Sequence, residues 1–210
     1  MRCKHDSAEL LFKFSSFSDP GSIYRVDLGS ASFDSANVCR TALSDPTIDV
    51  TDYVTDQVFY DSKDGTKVPM FMVRKKSVLP SADTAPEKPL LTLLYGYGGF
   101  NISLTPFFSL SVLVFMEALG GMFCVANLRG GGEYGEDWHA AGVKEKKQNV
   151  FDDFIAAGEH LIAKGFTDTD HLVIQGGSNG GTLVTACCNQ RPDLFAAGIG
   201  QVPVTDMLRF

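Results

Sequence analysis

The sequence predicts an α/β fold: strands alternating with helices, paired into a mostly parallel sheet with flanking helices, preceded by additional β structure. Three observations carry this expectation. From residue 90 onward, short apolar runs alternate with longer segments of helical character. Residues 1 to about 75 hold only strand-like segments. Glycine clusters close the apolar runs near residues 96–99, 130–132 and 176–181.

The elements follow in order. Glu9 to Phe17 is rich in Phe and Leu, Asp19-Pro20-Gly21 turns the chain, and Ser22 to Leu28 resumes an extended pattern. Val54 to Asp61 and Thr66 to Arg74 flank Lys63-Asp64-Gly65, an Asp-Gly hairpin signal. Val68, Met70 and Met72 alternate with other residues, which predicts a strand with one buried face. Leu79 to Pro89 is a Pro-rich loop, and Leu90 to Tyr95 is an apolar strand ending at Gly96. Thr105 to Leu119 predicts a helix stopped by Gly120-Gly121, and Met122 to Leu128 another buried strand. In the helix expected over Asn149 to Lys164, Asn149 is the cap and Asp152 and Asp153 lie in the first turn, where negative charge suits the dipole. Leu172 to Gln175 is a strand, Gly176 to Gly181 a turn, Thr182 to Asn189 a helix and Ala197 to Val204 a last strand.

Composition bounds the function. The 210 residues correspond to one domain with an appendage, or one domain and part of another. Apolar residues at 44% and charged ones at 20% exclude wholesale disorder. A net charge of −7 argues against nucleic acid or an anionic membrane as partner. The five cysteines show no C-x-x-C spacing or His/Cys cluster, so no metal is expected and the thiols read as reduced. The opening residues lack a signal-peptide pattern, and the most apolar stretch, Phe107 to Met116, falls short of the roughly twenty residues a bilayer needs. A soluble, cytoplasmic protein without a cofactor is the expectation.

The strongest chemical signal is Gly176-Gly177-Ser178-Asn179-Gly180-Gly181 after an apolar strand and before a helix, a G-x-S-x-G nucleophile elbow in the context it requires. Side chains at the flanking glycines would collide with the neighbouring strand and helix. The turn lifts the Ser178 hydroxyl above the sheet, where the Asn179 backbone N–H can donate to an oxyanion. Tyr95-Gly96-Tyr97-Gly98-Gly99-Phe100-Asn101 follows a central strand and lies beside the elbow. It can supply a donor, from a backbone N–H or a tyrosine phenol, or serve only as a turn with packed aromatics. No G-K-[ST] follows it, which argues against a phosphate loop. Asn127 to Gly135, with Arg129 ahead of its glycines, reads as a structural turn. His5, His139, His160 and His171 are scattered without metal-ligand spacing, and His160 occupies an exposed helical register.

Tyr95 to Asn101, Asn127 to Gly142, Gln175 to Gly181 and the closing Gln201 to Phe210 together resemble the prolyl oligopeptidases, over essentially the whole chain. That resemblance implies an α/β-hydrolase domain capped by a β-propeller, with residues 1–51 the last propeller strands and 52–210 the first part of the hydrolase domain. It implies Ser178 as nucleophile, and the Asn179 backbone N–H and Tyr97 hydroxyl as oxyanion donors. Phe100 and Val204 become walls of a proline pocket. The implied partners are short proline-containing peptides, cleaved on the carboxyl side of proline by a monomeric enzyme when complete.

One departure is large. In α/β-hydrolases the triad runs Ser, then Asp or Glu, then His. Only 210 − 178 = 32 residues follow Ser178, and all four histidines precede it. Asp193 and Asp206, the acidic residues after it, sit in stretches similar to the family's connections and are poor triad candidates. The chain is expected to be a fragment that holds the nucleophile and oxyanion hole and is inactive alone. A sister oligopeptidase of different specificity, a catalytically dead truncated isoform and an interaction protein are the alternatives.

Overall fold

A computed structural model of the chain describes residues 8–29, 37–40 and 48–209; His5 lies outside the described residues. β1 (Glu9–Phe14), β2 (Ser22–Asp27) and β3 (Asn37–Arg40) form a three-stranded antiparallel sheet in sequential order. A separate six-stranded sheet contains β4 (Tyr53–Asp61), β5 (Lys67–Lys75), β6 (Thr92–Gly96), β7 (Met122–Ala126), β8 (Leu172–Gly177) and β9 (Ala197–Gln201). Its order is β4-β5-β7-β6-β8-β9. β4, β5 and β7 pair antiparallel, while β7, β6, β8 and β9 run parallel.

Helices connect the parallel strands. α1 (Leu110–Leu119) joins β6 to β7, α2 (Glu136–Ala140) and α3 (Gln148–Ala163) lie between β7 and β8, and α4 (Asn179–Gln190) joins β8 to β9. One face of the sheet buries Met70, Met72, Leu94, Cys124 and Ile174 against Phe154 and Leu161 of α3 and Leu183 of α4. The other buries Val73, Leu93, Phe123 and Val125 against Leu113 and Met116 of α1. Each fully buried large apolar side chain contributes about 1.5–3 kcal/mol, so β7, buried at all five positions, anchors the sheet. Phe17, from the turn after β1, inserts among Phe71, Phe107 and Phe123 with ring centroids 5.6–6.1 Å apart, tying the small sheet to the large one.

Several elements differ from the sequence expectation for identifiable reasons. β5 buries residues on both faces, because α1 and Phe17 cover the side that alternation left open. α1 starts at Leu110 rather than Thr105. Pro106 disfavours helical geometry at the residue before it, and Ser109 caps the helix by accepting from the Val112 N–H at 3.5 Å. Asn149 does not cap α3; it lies inside the helix and donates to the Ala141 carbonyl at 2.9 Å, and Lys147 takes the cap position. His160 is half-buried, its ring 5.8 Å from that of Tyr60.

Asp153 has a role other than dipole compensation. Its carboxylate is fully buried and accepts from Arg129 Nη2 at 2.6 Å, Arg129 Nε at 3.0 Å and the Ser62 hydroxyl at 2.5 Å. Arg129 Nη1 continues to Asp64 at 2.5 Å. The β4–β5 hairpin, the loop after β7 and α3 are thus fastened by one buried guanidinium. Among the described residues no helix is long and apolar enough to cross a membrane, and no group of three or more His, Cys, Asp and Glu is placed to hold a metal.

Two predictions follow from this cluster. Asp153→Ala removes the buried counter-charge of Arg129, leaving it only the exposed Asp64, and is expected to lower stability by about 3 kcal/mol, read from a urea midpoint; a loss under about 1 kcal/mol would show that the network is dispensable. The hydrogen bond from Arg129 holds the Asp64 carboxyl at about 2, below the ordinary carboxylate range. A depressed carboxylate stabilises the fold above its unfolded value and loses that contribution as pH falls through the folded one. Stability is therefore expected to fall between about pH 4 and pH 2, with a carbon-detected NMR titration of Asp64 centred near the lower figure.

Candidate active site

β8 runs into α4 through a single residue outside regular structure, Ser178, at φ 55° and ψ −117°. This backbone region costs an L-residue about 1–3 kcal/mol. Three hydrogen bonds hold it. The Ser178 N–H donates to the Gln201 carbonyl at 2.9 Å, and the Ser178 carbonyl accepts from Gly181 N–H at 2.9 Å and Thr182 N–H at 3.2 Å. The residue is exposed, and among the described residues its hydroxyl makes no hydrogen bond.

The neighbouring glycines are required by contact. A Cβ at Gly176 would lie 2.2 Å from the Gly180 carbonyl oxygen, and one at Gly180 2.5 Å from the Gly96 carbonyl oxygen. One at Gly181 would lie 2.7 Å from the Gln201 carbonyl oxygen. Gly177 is different: the nearest atom to its Cβ would be 3.9 Å away, so the steric demand expected there is absent.

Asn179 is the first residue of α4, and its N–H is one of those that helix geometry leaves without an intrahelical partner. Its side chain fills the space in front of Gly99 and donates from Nδ2 to the Tyr97 carbonyl at 2.5 Å. Tyr97, half-buried, therefore sits against the start of α4. Phe100 is 74% exposed at φ 54°. Val204 lies on the segment after β9, where Thr182 Oγ1 accepts from its N–H at 3.1 Å and donates to its carbonyl at 2.8 Å. Tyr97, Phe100 and Asn179 thus share one edge of the elbow, and Val204 is fastened to α4 one turn on.

The topology explains why the site lies here. From the adjacent parallel strands β6 and β8, the chain leaves to α1 on one face and to α4 on the other, a switch point that opens a crevice at their carboxyl ends. Backbone strain is concentrated at the same end of the sheet. The five described non-glycine residues with positive φ are Phe100, Asn101, Lys144, Ser178 and Val202; four lie directly after β6, β8 or β9, and Lys144 opens the 3-10 turn between α2 and α3. A hollow of about 450 Å³ beside the elbow is lined by Phe100, His139, Lys144, Lys147 and Asn179, among others. A larger one of about 520 Å³, between the β4–β5 hairpin, α3 and the end of α4, contains none of the elbow residues.

Three participants escape sequence reasoning. Gln201 and Thr182 act through the backbone and a hydroxyl, with no motif. Lys147 closes the run Lys144-Glu145-Lys146-Lys147, which looks like a solvated face, yet it alone of the four is half-buried. The histidines have other partners: His139 Nδ1 donates to the Gly130 carbonyl at 2.7 Å, and His171 Nδ1 pairs with Asp168 at 2.6 Å. Asp193 is bound by Arg191 and Asp206 by Arg209. An exposed hydroxyl beside a helix N-terminus suits a nucleophile whose adduct carries a negative oxygen, and no described base touches it.

Residues 106–210, half of the chain, match the model of the Prolyl oligopeptidase family. A prolyl oligopeptidase of Omphalotus olearius is 46% identical over 202 residues, 96% of this chain and 26% of that protein. A prolyl endopeptidase of Dictyostelium discoideum is 52% identical over 161 residues, 76% of this chain and 20% of that protein. The solved structure of prolyl oligopeptidase B from Galerina marginata, bound to a 25mer macrocyclization substrate, superimposes with a TM-score of 0.89 at 39% identity, covering 99% of this chain and 28% of that one. The chain spans about a quarter of the length of such relatives.

The glycine contacts give a paired prediction. Gly176→Ala should lower stability by about 1–3 kcal/mol, because the clash is with backbone. Gly177→Ala should stay within about 0.5 kcal/mol of the parent. Equal urea midpoints for the two variants would contradict the geometry of the turn.

Proposed function

The chain belongs to the prolyl oligopeptidase family, and on that premise we propose that it carries the nucleophile and oxyanion-stabilising half of a serine endopeptidase cleaving short peptides after proline. The six-stranded sheet is the first part of the family's α/β-hydrolase fold, and the three-stranded sheet the end of its propeller. We place the boundary between residues 51 and 52, where a short 3-10 turn over Val50–Asp52 leads into β4. The observation that carries the proposal is Ser178, strained and exposed, at the N-terminus of α4 in the crevice between β6 and β8.

In this reading Ser178 Oγ attacks the carbonyl carbon of the proline residue while a histidine accepts its proton. The electron pair of the carbonyl moves onto oxygen, and the Tyr97 hydroxyl and Asn179 backbone N–H stabilise the anion. Collapse expels the amine, which takes the proton from the histidine, and water then releases the acyl group by the reverse sequence. Phe100 and Val204 are placed as walls of the proline pocket, supported by their exposed apolar surfaces beside the elbow. The histidine is assigned to the part of the enzyme beyond the quarter represented here. A cytosolic location is part of the proposal, supported by the unpaired thiols of Cys124, Cys187 and Cys188.

The alternative of an inactive chain acting by interaction is favoured by one observation, that among the described residues no base touches Ser178, and the same experiment separates the two. The 210-residue chain is expected to turn over a chromogenic proline-containing peptide no faster than its Ser178→Ala variant, because an unactivated serine hydroxyl is a poor nucleophile at neutral pH. When its segment replaces the matching one in the Omphalotus olearius relative, activity should appear and vanish again with Ser178→Ala. Tyr97→Phe in that chimera should slow acylation by about 10²–10³ without shifting the urea midpoint. A chimera that folds but never cleaves would favour the interaction protein.

A further inference from the structure

Lys147 is in an unfavourable place for a cation. It occupies the cap position of the 16-residue helix α3, where the positive end of the dipole opposes it. It is half-buried, and loss of water there lowers its ammonium pKa below the usual lysine range. The three charged residues before it, Lys144, Glu145 and Lys146, are exposed. Its Nζ stands over the Phe151 ring, 5.9 Å from the centroid.

What Nζ touches accounts for this position. It donates to the Gly98 carbonyl at 3.2 Å and to Asn179 Oδ1 at 3.2 Å. The other end of the same amide, Nδ2, donates to the Tyr97 carbonyl at 2.5 Å. The orientation of the amide is self-consistent: its oxygen meets a group that can only donate, and its nitrogen one that can only accept. Two consecutive carbonyls of the loop after β6 are therefore captured from α3 and α4 together, one directly by Lys147 and one through an amide that Lys147 orients. That loop carries Tyr97, and the amide belongs to the residue whose backbone N–H heads α4.

We propose that Lys147 is the positioning residue of the oxyanion site, clamping the Gly98 carbonyl and the Asn179 side chain so that the Tyr97 loop and the α4 N-terminus keep a fixed separation. The assignment rests on the peptidase reading for its catalytic meaning, and on the geometry alone for the clamp. Lys147 touches no reacting atom. Its effect is on the placement of two donors, and misplacing a reacting group by about 1 Å can cost 10² in rate.

The test has two arms. In the 210-residue chain, solvent exchange of the Asn179 side-chain amide protons is measured by NMR in the parent and in Lys147→Met, which keeps length and removes charge and donors. Exchange is expected to accelerate at least about tenfold, a loss of the pre-oriented hydrogen bond to Tyr97. In the chimera with the Omphalotus olearius enzyme, Lys147→Met is expected to lower kcat about 10- to 100-fold with KM within about twofold, because only the transition state uses the donors. Unchanged amide exchange overturns the clamp. Accelerated exchange with unchanged kcat, or a change confined to KM, overturns the positioning role. A parent chimera that cleaves nothing would instead sink the peptidase reading, while the amide measurement still decides the clamp. If Lys147→Met does not fold, Lys147→Leu, which likewise lacks charge and donors, is judged by the same readouts.

Discussion

The approach of α4 to the end of β6 is the constraint on which the rest of the site depends. The backbone at Gly180 lies so near the Gly96 carbonyl that a Cβ would come within 2.5 Å of its oxygen. A helix can begin that close to a sheet only without side chains at the contact, and only if the strand before it turns within one residue. That turn is what forces Ser178 to φ 55°. The strained residue thus follows from the packing distance. The same distance sets the Asn179 N–H and the Tyr97 loop side by side, since both are attached to the two backbones that meet.

Strain of this kind persists only where the surroundings over-determine it. Beneath the loops, Leu94, Val125 and Ile174 of three adjacent parallel strands are buried between helical layers, giving a platform that cannot shift to relieve a turn. At its edge β9 contributes differently: every residue in it is exposed, yet the Gln201 carbonyl fixes the Ser178 N–H. The elbow therefore takes its rigidity from the core on one side and from a single backbone hydrogen bond on the other. The Arg129–Asp153 pair does similar work farther out, where charge and hydrogen bonding rather than apolar contact fasten the loop after β7 to α3.

What the sequence disclosed and what it hid divide along the range of the interactions. The elbow was legible because glycine is the direct record of a backbone contact, and Gly176, Gly180 and Gly181 sit within three residues of the serine they shape. The alternation of strands and helices was legible for the same reason, being set by local periodicity. Gly177 misled, since a glycine in a cluster need not be sterically required. From sequence Asp153 reads as a charge for its own helix, because its partner, Arg129, lies 24 residues away. β5 reads as one-faced because the residues covering its second face come from Phe17 and α1, far along the chain. Lys147 was hidden in a charged run, and its two acceptors lie 49 and 32 residues away in opposite directions. Nothing local distinguishes a clamp from a solvated lysine.

On the proposed reading, the separation of nucleophile and base has a physical logic. The groups that would stabilise an oxyanion are backbone N–H, a loop and a helix end, all set by the packing of adjacent elements within this chain, and they keep their geometry whether or not a base is present. A base contributes through one proton and needs only hydrogen-bond reach of Ser178 Oγ, so a loop from elsewhere in a larger fold suffices to bring it. Preorganised dipoles must be built with the sheet, since their value lies in not reorganising during the reaction. On that reading the elbow is the half that has to be made from the core, and the Ser178 hydroxyl, exposed and unbonded among the described residues, is where a base would reach it.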